Sequence, residues 1–266
     1  MQFGCCIVPE QYRQAARADF DFVELAGSAL FQMSDTAFDA LCTEILTGPV
    51  PALACNSYCT ARGPAIVGPH YRREEAEQYA KKLCARASRL GIKMIGIGSP
   101  QARRLPIDFD RALAEKQGQE FLRVTAEAAG MYGMTVNLEQ LNPFCCDYGT
   151  ATADVAQTVQ TTAQSNTGLV VDFYHRTVAG EETCSLVGFS DLICHTHIST
   201  CGKNGERGYP HMEDLEEYTK ILAALQAIGY RGTMSIEAQT TQLEKDGRES
   251  LYMLWLAEKK AGGEKQ

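Results

Sequence analysis

Eight short apolar runs, spaced along the chain with amphipathic stretches between them, constrain this sequence more than any other feature. They are FGCCIV (residues 3–8), FVEL (22–25), VPALACN (50–56), MIGIG (94–98), MTVNLE (134–139), GLVVDF (168–173), LICHTHI (192–198) and TMSIEA (233–238). Each is rich in aliphatic or β-branched residues and largely lacks polar alternation, the pattern of a strand buried on both faces. Between them the periodicity changes to three and four. Arg73 to Leu90 carries Ala76, Tyr79, Ala80, Leu83, Cys84 and Ala87 on one stripe, which predicts a helix with one buried face. Residues 110–132 and 212–228 read the same way and end near Gly130, Gly133 and Gly229, residues suited to a helix C-terminus. A shorter helix opens at Thr152, with Val155 and Val159 on its apolar side.

Strands that alternate with helices must run parallel, because each return to the sheet needs a crossover. Eight is the number that closes a (β/α) barrel, and 266 residues is an ordinary length for one. The expected fold class is therefore α/β, a single (β/α)8 TIM barrel, with an open doubly wound sheet as its rival. No linker or low-complexity segment divides the chain, so residues 1–266 are expected to form one domain with a frayed tail at 261–266.

Composition narrows the function. A formal charge of −8 is the wrong sign for a nucleic-acid surface. No run approaches the roughly 18 uninterrupted apolar residues of a membrane span, and the N-terminal MQFGCCIVPE has no basic, apolar leader pattern. The eleven cysteines include adjacent pairs, Cys5–Cys6 and Cys145–Cys146, but no CxxC. They read as reduced, mostly buried thiols in a cytoplasmic protein.

Chemistry concentrates at the ends of the last four strands. Glu139 ends MTVNLE, Asp172 lies in LVVDF, His197 closes HTH and Glu237 follows MSI. Barrel enzymes place their sites at the C-terminal strand ends. Any one of these residues could be the first polar residue of a loop or a helix cap. Four ligand types in register at four successive strand ends are better explained by one divalent metal ion. Three carboxylates and an imidazole suit Mn²⁺ first, with Mg²⁺ or Co²⁺ as alternatives, rather than structural zinc.

The ordered set VNLEQLN, VVDFYH, HTHI and MSIEA resembles the xylose isomerase-like superfamily of barrels. Within it the likeness is to the sugar phosphate isomerase/epimerase group: ketose 3-epimerases, hydroxypyruvate isomerase and inosose isomerase. The resemblance implies a metal-dependent isomerase or epimerase of a sugar, ketose or polyol-derived ketone. In it Glu139, Asp172, His197 and Glu237 would hold one metal. Glu139 and Glu237 would also be the catalytic pair that moves a proton through an enediolate. His175, in the D-x-x-H pattern, and Arg207, in GERGYP, would bind the small-molecule sugar or polyol substrate. The TCGKNGERGYP loop is spaced differently from the family pattern, so Lys203 is an alternative cation, and PFCCDYG diverges too. A homodimer or homotetramer is implied by the same likeness. The alternative on this metal site is an inosose-type dehydratase or lyase, which would release water. Endonuclease IV shares the barrel but needs a three-zinc cluster, for which five histidines are too few. A catalytically idle barrel is opposed by the presence of both glutamates.

Weaker signals carry smaller expectations. His195 is expected as a packed, hydrogen-bonded histidine turned toward the helices. Glu24 reads as an inner-rim structural residue more than a pocket residue. The glycines of GIGS (96–99) are expected to relieve crowding in the barrel. ARGPAIVGPH (61–70) is either a lid or a solvated loop, Phe144 to Cys146 could line the pocket or an oligomer contact, and Arg103 or Arg104 could meet a phosphate.

Overall fold

The computed structural model describes residues 1–182, 185–202 and 205–263. Eight strands close a barrel: β1 (Gln2–Ile7), β2 (Phe22–Ala26), β3 (Ala52–Asn56), β4 (Met94–Ile97), β5 (Thr135–Glu139), β6 (Thr167–Asp172), β7 (Ile193–Ile198) and β8 (Thr233–Ile236). Their order around the barrel is β1-β8-β7-β6-β5-β4-β3-β2, and every neighbouring pair is parallel. The eight-stranded α/β expectation therefore holds, with strand boundaries moved by one or two residues. The doubly wound rival fails because β1 pairs with both β2 and β8 and leaves no free edge.

Helices cover the outside: α1 (Tyr12–Arg17), α2 (Gly27–Gln32), α3 (Asp35–Thr47), α4 (Arg73–Arg89), α5 (Arg111–Gly130), α6 (Thr152–Thr162), α7 (Phe173–Ala179), α8 (Leu215–Ala227) and α9 (Leu243–Ala261). The stripe expected on α4 is buried in full. α5 starts where the Asp110 carboxylate accepts from the amides of Ala112 and Leu113, supplying partners that a helix start otherwise lacks. Gly133 and Gly229 follow α5 and α8 with φ of 66° and 77°, the left-handed region where glycine meets no Cβ penalty.

Alternation divides the strands into two environments. Val23, Leu25, Val136, Leu138, Val171, Ile198, Met234 and Ile236 are buried and face the helices. Phe22, Glu24, Asn137, His195, His197 and Ser235 fill the barrel interior, each at most 1% exposed. The register sets Asp172 beside His197, and His197 beside Ser235. A short antiparallel hairpin, Thr200–Cys201 with Arg207–Gly208, stands over the C-terminal mouth. Among the described residues no helix is long and apolar enough to cross a membrane.

Candidate active site

The C-terminal ends of four consecutive strands bring Glu139, Asp172, His197 and Glu237 together, each offering one ligand atom within 4.8 Å of the others. His197 Nδ1 lies 3.0 Å from Glu139, 3.6 Å from Glu237 and 4.0 Å from Asp172. Local chemistry fixes the strand ends. Gln140 uses its amide twice on the Asp172 backbone, donating to the carbonyl at 2.7 Å and accepting from the N–H at 3.3 Å. The Asp172 carboxylate caps α7 by accepting from the His175 amide at 3.1 Å, so one residue ends a strand and starts a helix. Glu139 is held from behind by Arg103, whose fully buried guanidinium donates to the carbonyls of Glu139 and Ile97. Gly98 leaves room for its carboxylate: a Cβ there would fall 2.2 Å from Glu139 Oε2.

Arg207 lies closer to this cluster than a purely substrate-binding role would require. It donates to Asp172, to Glu237 at 2.8 Å and to Ser199 at 3.0 Å, with its guanidinium over the Tyr174 ring. Lys203, the alternative cation, lies outside the described residues. His175 is buried and accepts at Nδ1 from the Asn142 amide at 2.8 Å. The ring proton then belongs to its other nitrogen. Burial depresses the His175 pKa against the pull of Asp172 and Glu139.

Electrostatics separates the carboxylates. Burial and the charge of Glu237 push the Glu139 pKa up. Burial also raises Glu237, although Arg207 and His197 oppose it. Burial would raise Asp172 as well, but Arg207, His175 and His197 outweigh it and hold that carboxyl well below the usual range. The same burial thus acts on all three carboxyls, and the neighbouring cations decide that Asp172 is lowered while the two glutamates are raised.

The donor set fits a divalent cation. Four buried or half-buried carboxylates, with Glu24 included, outnumber the charges that Arg207 and His197 supply. Mixed carboxylate and imidazole donors are those that hard or borderline metals take.

Two cavities open on the cluster. One, of about 700 Å³, runs from Ile7, Val8 and Gln11 past Asn56 to Gln239 and Thr240. The other, of about 540 Å³, is lined by Cys59, Thr60, Ser99, Leu141, Cys145 and His175 with Glu139. Ala26, Ser57, Arg207 and Glu237 border both.

Several expectations need correction or completion. His195 does not turn toward the helices: residues two apart on a strand share a face, so it enters the interior with His197 and hydrogen-bonds Glu24 at 2.8 Å and Thr233 at 2.6 Å. Counting that period from His197 would have found it. Glu24 lies beneath the cluster, where its carboxylate accepts from both histidines. Asn56, unassigned from sequence, donates to Glu237 at 2.8 Å. Of the glycines in GIGS, Gly98 does relieve crowding, and the group it accommodates is Glu139. Residues 61–70 are packed at their middle, where Ile66 and Val67 are buried and bond to the Ala102 carbonyl. Phe144 is 76% exposed, whereas Cys145 lines the second cavity. Arg103 is buried and engaged with two carbonyls, whereas Arg104 is exposed, donating to the Phe144 carbonyl and lying 3.6 Å from Asp147.

Residues 12–258 match the sequence profile of the xylose isomerase-like TIM barrel family. No curated protein matches the chain by sequence. Solved structures resemble it in fold. A D-psicose 3-epimerase with D-tagatose from Clostridium cellulolyticum H10 is 19% identical, with a TM-score of 0.78 over 97% of this chain and 99% of its own. A 3-keto-D-glucoside 4-epimerase from E. coli is 18% identical, with a TM-score of 0.75 over 96% and 98%. The IolI protein with a bound zinc atom is 18% identical, with a TM-score of 0.72 over 98% of each chain.

Proposed function

Because the chain belongs to the xylose isomerase-like TIM barrel family, we propose that it is a divalent-metal-dependent isomerase or epimerase of a sugar, ketose or polyol-derived ketone. The observation that carries this reading is the convergence of Glu139, Asp172, His197 and Glu237, each offering a ligand atom within 4.8 Å of the others at the barrel mouth. Glu139, Asp172, His197 and Glu237 would hold the ion, Mn²⁺ by preference, which when bound supplies positive charge beside the substrate's oxygens.

The remaining chemistry belongs to the chain. Moving a carbonyl along a sugar, or inverting the carbon beside it, starts with loss of the proton α to that carbonyl. Glu139 and Glu237 are the carboxylates that would take and return it. Placed on opposite faces of the substrate, they would remove the proton from one side and deliver it to the other. His175 and Arg207 would orient the hydroxyl and carbonyl groups through charge-assisted or neutral hydrogen bonds. Leu141, Cys59 and Pro100 give the second cavity an apolar wall facing Glu139.

The test is incubation of the Mn²⁺-loaded protein in D₂O with a panel of ketoses, keto-acids and inososes, read by mass spectrometry. Deuterium is expected at a carbon-bound position, and its location separates 3-epimerisation from 1,2-isomerisation. No label in any compound, with metal binding established, would overturn the reading. A product lacking the elements of water would reassign the site to a dehydratase.

A structural prediction accompanies it. Gly98→Ala should displace the Glu139 carboxylate, since the new Cβ and Oε2 cannot occupy positions 2.2 Å apart. Mn²⁺ affinity is expected to fall by about tenfold or more while the melting temperature changes little. Unaltered affinity by calorimetric titration would mean that Glu139 is not held where its neighbours place it.

A further inference from the structure

We propose that Glu24 is the positioning residue that turns His197 so that Nδ1, and not Nε2, faces the carboxylate cluster, and that the row Thr233–His195–Glu24–His197 thereby sets the affinity of the site for a divalent ion. The proposal rests on the metal-site reading above. Phe22, Glu24 and Ala26 share the inner face of β2, and Glu24 is fully buried there. Two strands, β1 and β8, separate β2 from β7 on the shorter way round the barrel, so the Glu24 contacts cross the barrel interior rather than following a neighbouring strand.

A carboxylate with no solvent must find donors within the protein. Glu24 finds two: His195 Nε2 at 2.8 Å, and His197 Nε2 at 3.2 Å from each of its oxygens. An ionised carboxylate only accepts, so both imidazoles must carry their proton at Nε2. For His195 that leaves Nδ1 to accept from the Thr233 hydroxyl at 2.6 Å. For His197 it leaves Nδ1 directed at Glu139, Glu237 and Asp172, where without an ion it donates to Glu139 at 3.0 Å and where a bound ion would take the place of that proton. A metal-bound histidine anchored at its other nitrogen by a carboxylate has its tautomer and ring plane fixed before the ion arrives.

Cys6 offers a competing arrangement, because its sulfur lies within 4.8 Å of a Glu24 oxygen and a His197 nitrogen. A cation there would need Glu24 to release the imidazole N–H groups it accepts, which is why the geometry favours anchoring over a second metal site.

Glu24→Gln tests this at nearly constant volume. Its amide can accept from one histidine but presents N–H toward the other. Mn²⁺ affinity, read by the electron paramagnetic resonance of the free ion, should weaken by about 10–100-fold. In the zinc-loaded protein, long-range ¹H–¹⁵N spectra should show His197 with its proton at Nε2 in the wild type and a mixture in the variant. Loss of packing alone would not shift that tautomer signature. Affinity within twofold of wild type, with an unchanged His197 signature, would overturn the proposal. So would a thiolate-to-cobalt absorption band in the Co²⁺-loaded wild type that disappears in Cys6→Ser, since Glu24 would then be a ligand. Should Glu24→Gln fail to fold, Thr233→Val removes the far end of the row. It is expected to weaken Mn²⁺ binding several-fold, and no change there would count against the proposal equally. A wild type that takes up no divalent ion would sink the metal reading itself, whereas equal binding by wild type and variant sinks only the role of Glu24.

Discussion

Replacing Glu237 with glutamine should leave the barrel folded while cutting net substrate conversion by about 10²- to 10⁴-fold, the range of a lost general base. The substitution keeps the side chain's size and its hydrogen bond from Asn56, now to the amide oxygen. It removes the one property that proton transfer needs, because a carboxamide cannot accept the substrate's proton. Glu237 is the more exposed of the two glutamates, with its side chain 23% accessible against 6% for Glu139, and it borders both cavities. In D₂O the proton on the face that Glu237 serves should cease to exchange, while the face served by Glu139 can still incorporate label without net conversion. Turnover near the wild-type level, with Mn²⁺ occupancy verified by metal analysis, would eliminate the two-glutamate mechanism.

Arg207→Met carries the second large effect, and here the readout is stability. Arg207 pairs with Asp172, which is fully buried, and with Glu237, which is half-buried. Removing one partner of a buried pair leaves the other charge uncompensated and costs about 3 kcal/mol. For a protein of this size that corresponds to a melting temperature lower by about 6–10 °C. Methionine keeps most of the side-chain volume, so the loss reports charge more than packing. The decrease is expected in chelator, where among the described residues Arg207 is the arginine or lysine paired with Asp172 and Glu237. Saturating Mn²⁺ should recover at least half of it, because an ion in the same cluster supplies the missing charge. An equal decrease with and without metal would assign Arg207 a packing role. No decrease in chelator would mean that these ion pairs contribute nothing to stability.

The architecture was legible because two periods are written into the chain. Strands buried on both faces must be apolar over four to six residues, and the helices between them must carry one buried stripe, so the alternation determined both the barrel and the order of its parts. The same logic exposed the four strand-end residues, since Glu139, Asp172, His197 and Glu237 each interrupt an apolar run where a βα loop begins. Placement and order along one chain were therefore enough to nominate them.

What the alternation does not disclose is which residues meet across the barrel. Glu24 is separated from His195 by 171 positions and Asn56 from Glu237 by 181, and no local pattern links such pairs. Arg207 is another case: the GERGYP motif marks a cation, but only the hairpin over the mouth brings it onto Asp172 and Glu237. The sequence by itself determined the fold class and the ligand-type residues, because hydrophobic burial acts through local periodicity. Tertiary structure alone decided the partners of Glu24 and the charge balance at the mouth, because those depend on strand register and on how a closed barrel brings distant strand ends to within a few ångströms of one another.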